Sequence, residues 1–167
     1  MSAIHPIATA LGPVQAAFNA QGEVLYLGFS GHEFRAPLLA KLARMGPVDR
    51  PGSEVVRRLQ EQLEAYAVGR RRTFDIPFCL HGSPFELRVW AALQLIPFGQ
   101  TRSYDQLATE LGDANLSRAV GRANGANPVS ILIPCHRVIG ANGALTGYAG
   151  GLAMKERLLR LEGVIRA

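Results

Sequence analysis

Cysteine is scarce in this chain of 167 residues: only Cys79 and Cys135 occur. Two cysteines are too few for a disulfide framework or for a tetrahedral zinc site built from cysteine pairs, so no metal is expected and a reducing cytoplasm fits best. Long hydrophobic runs are absent as well. No stretch reaches the roughly 18–20 apolar residues needed to cross a bilayer, and Met1 to Ala10 lack the basic start and continuous apolar segment of a secretory leader. Membrane association and secretion are therefore not expected. There is no internal repeat and no low-complexity tract. With hydrophobic residues at 48% and charged residues at 19%, the composition is that of a chain able to build a packed core. The length suits one compact unit or two small subdomains.

The formal charge is +5, from 18 basic and 13 acidic side chains. Residues 1–78 hold 9 basic and 7 acidic groups and residues 79–167 hold 9 and 6, so neither half stands out. One segment does. From Ala114 to Lys155 there is no Asp or Glu, while Arg118, Arg122, Arg137 and Lys155 surround a single cysteine. Such a gap can be chance, and net charge alone only hints at an anionic partner.

In the first half, alternating apolar residues (Val14, Ala16, Phe18, then Val24, Tyr26) flank Asn19-Ala20-Gln21-Gly22, which predicts a hairpin. Ser53 precedes Val56, Leu59, Leu63 and Tyr66 at helical spacing, and Gly69 is placed to stop that helix, with Arg70-Arg71-Arg72 read as its basic end. Thr73 to Phe78 reads as a further strand. An α/β subdomain over residues 1–78 follows.

Residues 79–167 read as a second subdomain with clearer punctuation. Ser83-Pro84-Phe85-Glu86 combines an N-cap serine, proline at the first helical position and the glutamate of a capping box, and the helix ends at Pro97. Ser103-Tyr104-Asp105-Gln106 repeats the box, and Gly112 closes that helix. Asp113 or Asn115 can cap the next, which carries Arg118 and Arg122 until Gly125-Ala126-Asn127-Pro128 breaks it. This is a helix-turn-helix outline. Helix pairs with a glycine turn also occur in ordinary cores, so shape leaves DNA binding open, and the two arginines on an acid-free second helix favour it.

Val129-Ser130-Ile131-Leu132-Ile133 then forms a buried apolar segment that delivers Pro134-Cys135-His136-Arg137 to its end. A buried cysteine is ordinarily a small core residue. Cys135 differs because nearby positive charge and hydrogen-bond donors favour thiolate over thiol. Cys79, between Phe78 and Leu80, keeps the structural reading.

Together, Val89-Trp90, Ile96-Pro97-Phe98-Gly99, Thr101-Arg102-Ser103-Tyr104, Arg118-Ala119-Val120-Gly121, Asn127-Pro128, Ile133-Pro134-Cys135-His136-Arg137-Val138-Ile139-Gly140, Gly147-Tyr148-Ala149-Gly150-Gly151 and Lys155-Glu156 resemble the O6-alkylguanine-DNA alkyltransferases. The resemblance runs from Ser83 to Gly163, with the first half alike only through Leu11-Gly12-Pro13 and the hairpin. It implies a ribonuclease-H-like α/β N-terminal subdomain and a mostly α-helical C-terminal subdomain with the helix-turn-helix and the active site.

By the same resemblance, Cys135 attacks the alkyl carbon on O6 of guanine in double-stranded DNA. The family's histidine, here His136, acts on the thiol through a water, and its glutamate, here Glu162, holds the imidazole in one tautomer. Tyr104 hydrogen-bonds the guanine ring and pushes on the adjacent phosphate. Arg118 fills the stack that the base vacates, and a base taken out of the duplex costs a few kcal/mol. Ala119 and Gly121 let the helix approach the minor groove, where Arg122 adds a contact. Val138, Tyr148, Ala149 and Lys155 line the base pocket and Asn127 holds the turn below it; Arg137 reads either as a DNA contact or as a structural ion pair, and the ion pair is favoured. The product is a thioether that water does not cleave, so one molecule repairs one lesion. The acceptor is the protein itself, and no cofactor is expected. A monomer is expected in solution, and O4-alkylthymine as a second substrate and cooperative assembly on DNA stay open. Two other readings are a DNA-binding protein without transfer, against which Cys135 speaks, and a Cys-His hydrolase, for which adjacent Cys and His point apart and no partner stands out among His5, His32 and His81.

Overall fold

The side chain of Asn19 organises the first sheet. Its Oδ1 accepts from the amides of Gln21 and Glu23 at 3.0 and 2.9 Å, and Gly22 takes φ +77°, a conformation in which a Cβ is costly. In the computed structural model, which describes residues 4–31, 40, 42–45 and 51–165, this turn joins β2 (Val14–Phe18) to β3 (Val24–Phe29). The pair is antiparallel, with Val14 opposite Phe29 and a register shift between Ala17 and Phe18. An additional edge strand, β1 (His5–Ile7), lies antiparallel to β2. Pro6 has no N–H to donate, which a three-residue edge strand tolerates and which hides it from a propensity reading.

Helix α1 (Ser53–Ala67) buries Leu59, Gln62, Leu63 and Tyr66, the i, i+3, i+4, i+7 stripe. Ser53 does not cap it. The N-cap is Gly52, which has no side chain to offer, and Gly69 ends the helix with φ +77°. The strand expected over 73–78 does not form: only Phe78 makes a bridge, to Val24. The reason is that side chains take the backbone groups of that segment. Gln62 accepts from the Asp75 amide at 3.1 Å, Arg71 donates to the Thr73 carbonyl at 2.6 Å, and Pro77 lacks a donor.

The chain divides into two compact units, Met1–His81 with Pro128–Leu132, and Gly82–Asn127 with Ile133–Ala167. The division expected at 78/79 thus falls at 81/82. The apolar run before the cysteine belongs largely to the first unit, where Val129 bridges Leu27. That run is buried, as expected; its bridge residues Val129, Ser130 and Ile133 flank a turn at Ile131–Leu132, where Ile131 has φ +73°. A β-branched residue in this region stores about 1–3 kcal/mol of backbone strain.

In the second unit, α2 (Pro84–Gln94) starts with the full Ser83/Glu86 capping box and buries Val89, Trp90 and Leu93. The Trp90 indole donates to the Ala123 carbonyl at 2.8 Å. Strand β4 (Arg102–Ser103) leads directly into α3 (Tyr104–Glu110), whose Ser103/Gln106 capping box also forms. Asp113 caps a short 3-10 turn over Ala114–Leu116, and α4 (Ser117–Gly125) follows with no side-chain cap of its own. A second 3-10 turn, Cys135–Arg137, runs into β5 (Val138–Ile139), which pairs parallel with β4. Helix α5 (Leu152–Leu161) completes the unit. Among the described residues no helix is long and apolar enough to cross a membrane.

Candidate active site

Cys135 opens its 3-10 turn 4% exposed, with its amide bonded to the Ile133 carbonyl at 2.8 Å. Two asparagines hold the turn. Asn127 donates to the Ile133 carbonyl at 2.9 Å, and Asn124, in the last turn of α4, donates to the Cys135 carbonyl at 3.3 Å. The parallel pairing of Arg102 with Val138 and Ser103 with Ile139 ties the start of α3, and with it Tyr104, to the residues just after the cysteine.

Next to the thiol lies a buried charge cluster. Glu162, the C-cap of α5, faces His136 Nε2 at 2.7 Å and accepts from Arg137 Nε at 2.8 Å and Nη2 at 3.0 Å. The remaining Arg137 nitrogen, Nη1, donates to the Ile96 carbonyl at 2.6 Å. Gly99 adds its amide to Glu162 at 3.4 Å from a turn at φ +82°, where a Cβ would stand 3.3 Å from the Glu162 carbonyl. Burial pushes the His136 pKa down, an effect that outweighs the opposing pull of Glu162. That direction favours the neutral imidazole. With its hydrogen on Nε2 toward the carboxylate, Nδ1 carries the lone pair, and this buried atom has no hydrogen-bond partner among the described residues. A neutral, oriented imidazole with a free lone pair is a base.

Lys155 is fully buried, and its ammonium donates to the carbonyls of Val138 (2.5 Å), Thr146 (2.7 Å) and Gly147 (3.5 Å). Burial lowers its pKa to about 8, against the pull of negative charge at Cys135. Thr146 also accepts from the Tyr104 hydroxyl at 3.1 Å. The segment around Tyr148 and Ala149 is thus tethered to the turn after the cysteine. Tyr148 is partly buried and Ala149 exposed.

The outer face of α4 is different in kind. Arg118 and Arg122 are exposed, four residues apart on one side of the helix. Arg118 lines a shallow cleft of about 320 Å³ with Tyr104, Asp105, Ser117, Gly121 and Ala141. Ala119 is partly exposed, and a Cβ at Gly121 would sit 3.7 Å from the Tyr104 ring. Of the four cations in the acid-free segment, these two arginines face solvent, while Arg137 and Lys155 are consumed inside the fold. Asn124 went unrecognised in the sequence. A polar residue one position before Gly125, in the helix leading to the cysteine, is the signal that was available. Among the described residues no group of three or more His, Cys, Asp or Glu could hold a metal ion.

Fold and site together define an α/β protein in which a buried cysteine is followed in the chain by a buried, carboxylate-oriented imidazole, in the same unit as a cationic helix. Residues 84–164 match the family model described as 6-O-methylguanine DNA methyltransferase, DNA binding domain. The methylated-DNA–protein-cysteine methyltransferase of Methanosarcina acetivorans is 53% identical over 110 residues, 66% of this chain and 70% of that protein. The Salmonella typhimurium protein of the same name is 42% identical over 161 residues, 95% of this chain and 94% of that one. A Mycobacterium tuberculosis relative solved in complex with DNA superimposes with a TM-score of 0.80 at 39% identity, covering 94% of this chain and 90% of that one. The chain belongs to the methylated-DNA–protein-cysteine methyltransferase family.

Proposed function

We propose that this protein repairs DNA by moving an alkyl group from O6 of guanine to Cys135. The observation that carries the reading is the buried arrangement of Cys135, neutral His136 and Glu162 within a chain of this family. Displacement at an alkyl carbon needs a soft thiolate, and a free cysteine of pKa about 8.5 is only a few per cent ionised at neutral pH. Nδ1 of His136 takes the thiol proton through a water, and Glu162 compensates the imidazolium that results. The Cys135 sulfur forms a bond to the alkyl carbon as the bond from that carbon to O6 breaks. The proton that left the thiol ends on a ring nitrogen of the released guanine. The thioether is stable, so each molecule acts once.

Tyr104, at the mouth of the cleft, exchanges its bond to Thr146 for the departing base. Helices α3 and α4 serve as a helix-turn-helix whose second helix lies in the minor groove, with Arg118 replacing the everted base and Arg122, Ala119 and Gly121 completing the contact. Val138, Tyr148, Ala149 and Lys155 form the base pocket. The three-stranded sheet with α1 supports a ribonuclease-H-like N-terminal unit. The protein works as a monomer in the reducing cytoplasm, where Cys135 stays a thiol. The test is Cys135→Ala, which abolishes transfer from an O6-methylguanine duplex while DNA binding in a mobility-shift assay survives. Transfer retained by that variant overturns the reading.

A further inference from the structure

Asn124 is 3% exposed, and its carboxamide has two unlike halves. Nδ2 donates to the Cys135 carbonyl at 3.3 Å, whereas Oδ1 is buried with no hydrogen-bond partner among the described residues. An acceptor left in that state costs about 1–3 kcal/mol, a penalty an apolar side chain of the same size avoids. The other buried acceptor at this turn without a partner is Nδ1 of His136, the residue next to the cysteine. Two acceptors at one turn need a donor. The thiol, or a water relaying its proton, is the donor that the proposed chemistry provides.

We propose that Asn124 is a positioning residue for the acceptor thiol: Nδ2 fixes the Cys135 turn to α4, and Oδ1 accepts a hydrogen from the proton path between Cys135 and His136. The inference rests on the reading of Cys135 given above. It makes α4 a two-sided element. Arg118 and Arg122 face outward, and six residues after Arg118 the same helix holds the backbone of the nucleophile. Seating that helix on DNA and aligning the sulfur are then one event. The charged groups that also bear on the thiol are Lys155 of α5 and the buried His136, Arg137 and Glu162, and all of these stay in place when Asn124 is changed.

The test uses the full chain carrying Asn124→Leu and, as the isosteric control against misfolding, Asn124→Asp. Three quantities are measured: single-turnover transfer from an O6-methylguanine duplex, duplex affinity, and the rate of Cys135 carbamidomethylation by iodoacetamide as a function of pH. Asn124→Leu lowers transfer about ten- to a hundredfold, the size of effect that misalignment at a reacting centre produces. Its duplex affinity stays within about twofold, and the pH of half-maximal iodoacetamide reaction moves downward, because no oxygen acceptor is left to stabilise the neutral thiol. Asn124→Asp moves that pH the other way, upward, because a carboxylate in place of the carboxamide at the Cys135 turn disfavours thiolate. Transfer within about twofold of the wild type in both variants overturns the proposal. So does a loss of transfer matched by loss of duplex affinity with no change in the thiol profile, which is what a purely structural role gives. A wild-type protein that accepts no alkyl group defeats the proposed function instead, and the iodoacetamide profiles still decide the role of Asn124.

Discussion

Replacing Glu162 by Gln exchanges one carboxylate oxygen for an NH₂ group in a densely bonded part of the second unit. The carboxylate accepts from His136 at 2.7 Å and from Arg137 at 2.8 and 3.0 Å, with its side chain wholly inaccessible to solvent. Glutamine keeps the shape but turns its NH₂ toward one of these donors and leaves the Arg137 guanidinium without a counter-charge. Removing one partner of a buried pair costs about 3–5 kcal/mol. At about 2–4 °C per kcal/mol for a chain of this size, the melting temperature falls by about 6–20 °C. Transfer falls further than stability, by about 10²–10⁴-fold, because the hydrogen that Glu162 holds on Nε2 is what keeps the lone pair on Nδ1. The double variant Glu162→Leu with Arg137→Met separates the two effects. Exchanging both charges for apolar groups recovers most of the stability, since the desolvation cost disappears with the pair, and transfer stays lost. Thermal unfolding and single-turnover transfer on the same preparations read both. A drop of less than about 3 °C in Glu162→Gln, or recovery of transfer in the double variant, refutes the reasoning.

Arg118→Ala weakens duplex binding and slows repair of the duplex more than reaction with the free modified base; equal losses argue against a role in holding the base out of the stack. Duplex affinity falls as salt rises, measured by titration at several ionic strengths, because Arg118 and Arg122 release counterions from phosphates. Lys155 loses its proton near pH 8, leaving an amine with two hydrogens for the carbonyls of Val138, Thr146 and Gly147, so transfer declines above about that pH. Unfolding does not cause that decline: between about 8 and 10.5 the unfolded chain binds the proton that folded Lys155 has shed, so this group's contribution to stability rises with pH. A flat alkaline profile contradicts this role of the Lys155 ammonium. His136 works at the acid end, where its folded pKa lies below the ordinary 6.5. As the pH drops beneath 6.5 the unfolded chain takes up a proton that the folded chain refuses, so stability falls, and His136→Gln removes that component in urea unfolding at successive pH values.

Elements built from local chemistry were legible in the sequence. The Asn19–Gly22 turn, the boxes at Ser83/Glu86 and Ser103/Gln106, and the stop at Gly69 each depend on groups within a few residues of one another. Elements that depend on a distant partner were not. The two-residue pairing of β4 with β5 has no periodicity to detect, and the segment at 73–78 carries strand-like residues whose backbone groups Gln62 and Arg71 claim. Ile131 at φ +73° runs against its own propensity, and only the surrounding structure holds it there. The site divides in the same way. Cys135 and His136 stand side by side, so a candidate nucleophile and base are visible in the sequence. Glu162 lies 26 residues from His136, and the resemblance supplied it. Positive charge between Ala114 and Lys155 looked like a single field, yet burial withdraws half of its cations from the surface. Asn124 has no motif at all, and its meaning lies in one bond to the Cys135 carbonyl.

The most direct test of the central claim is the intact mass of the protein after mixing with an excess of duplex containing O6-methylguanine, followed by peptide mapping. The account predicts that every molecule gains one methyl group, that it resides on the peptide holding Cys135, and that repair stops when the protein is used up. Continued repair by protein whose mass has not changed contradicts it.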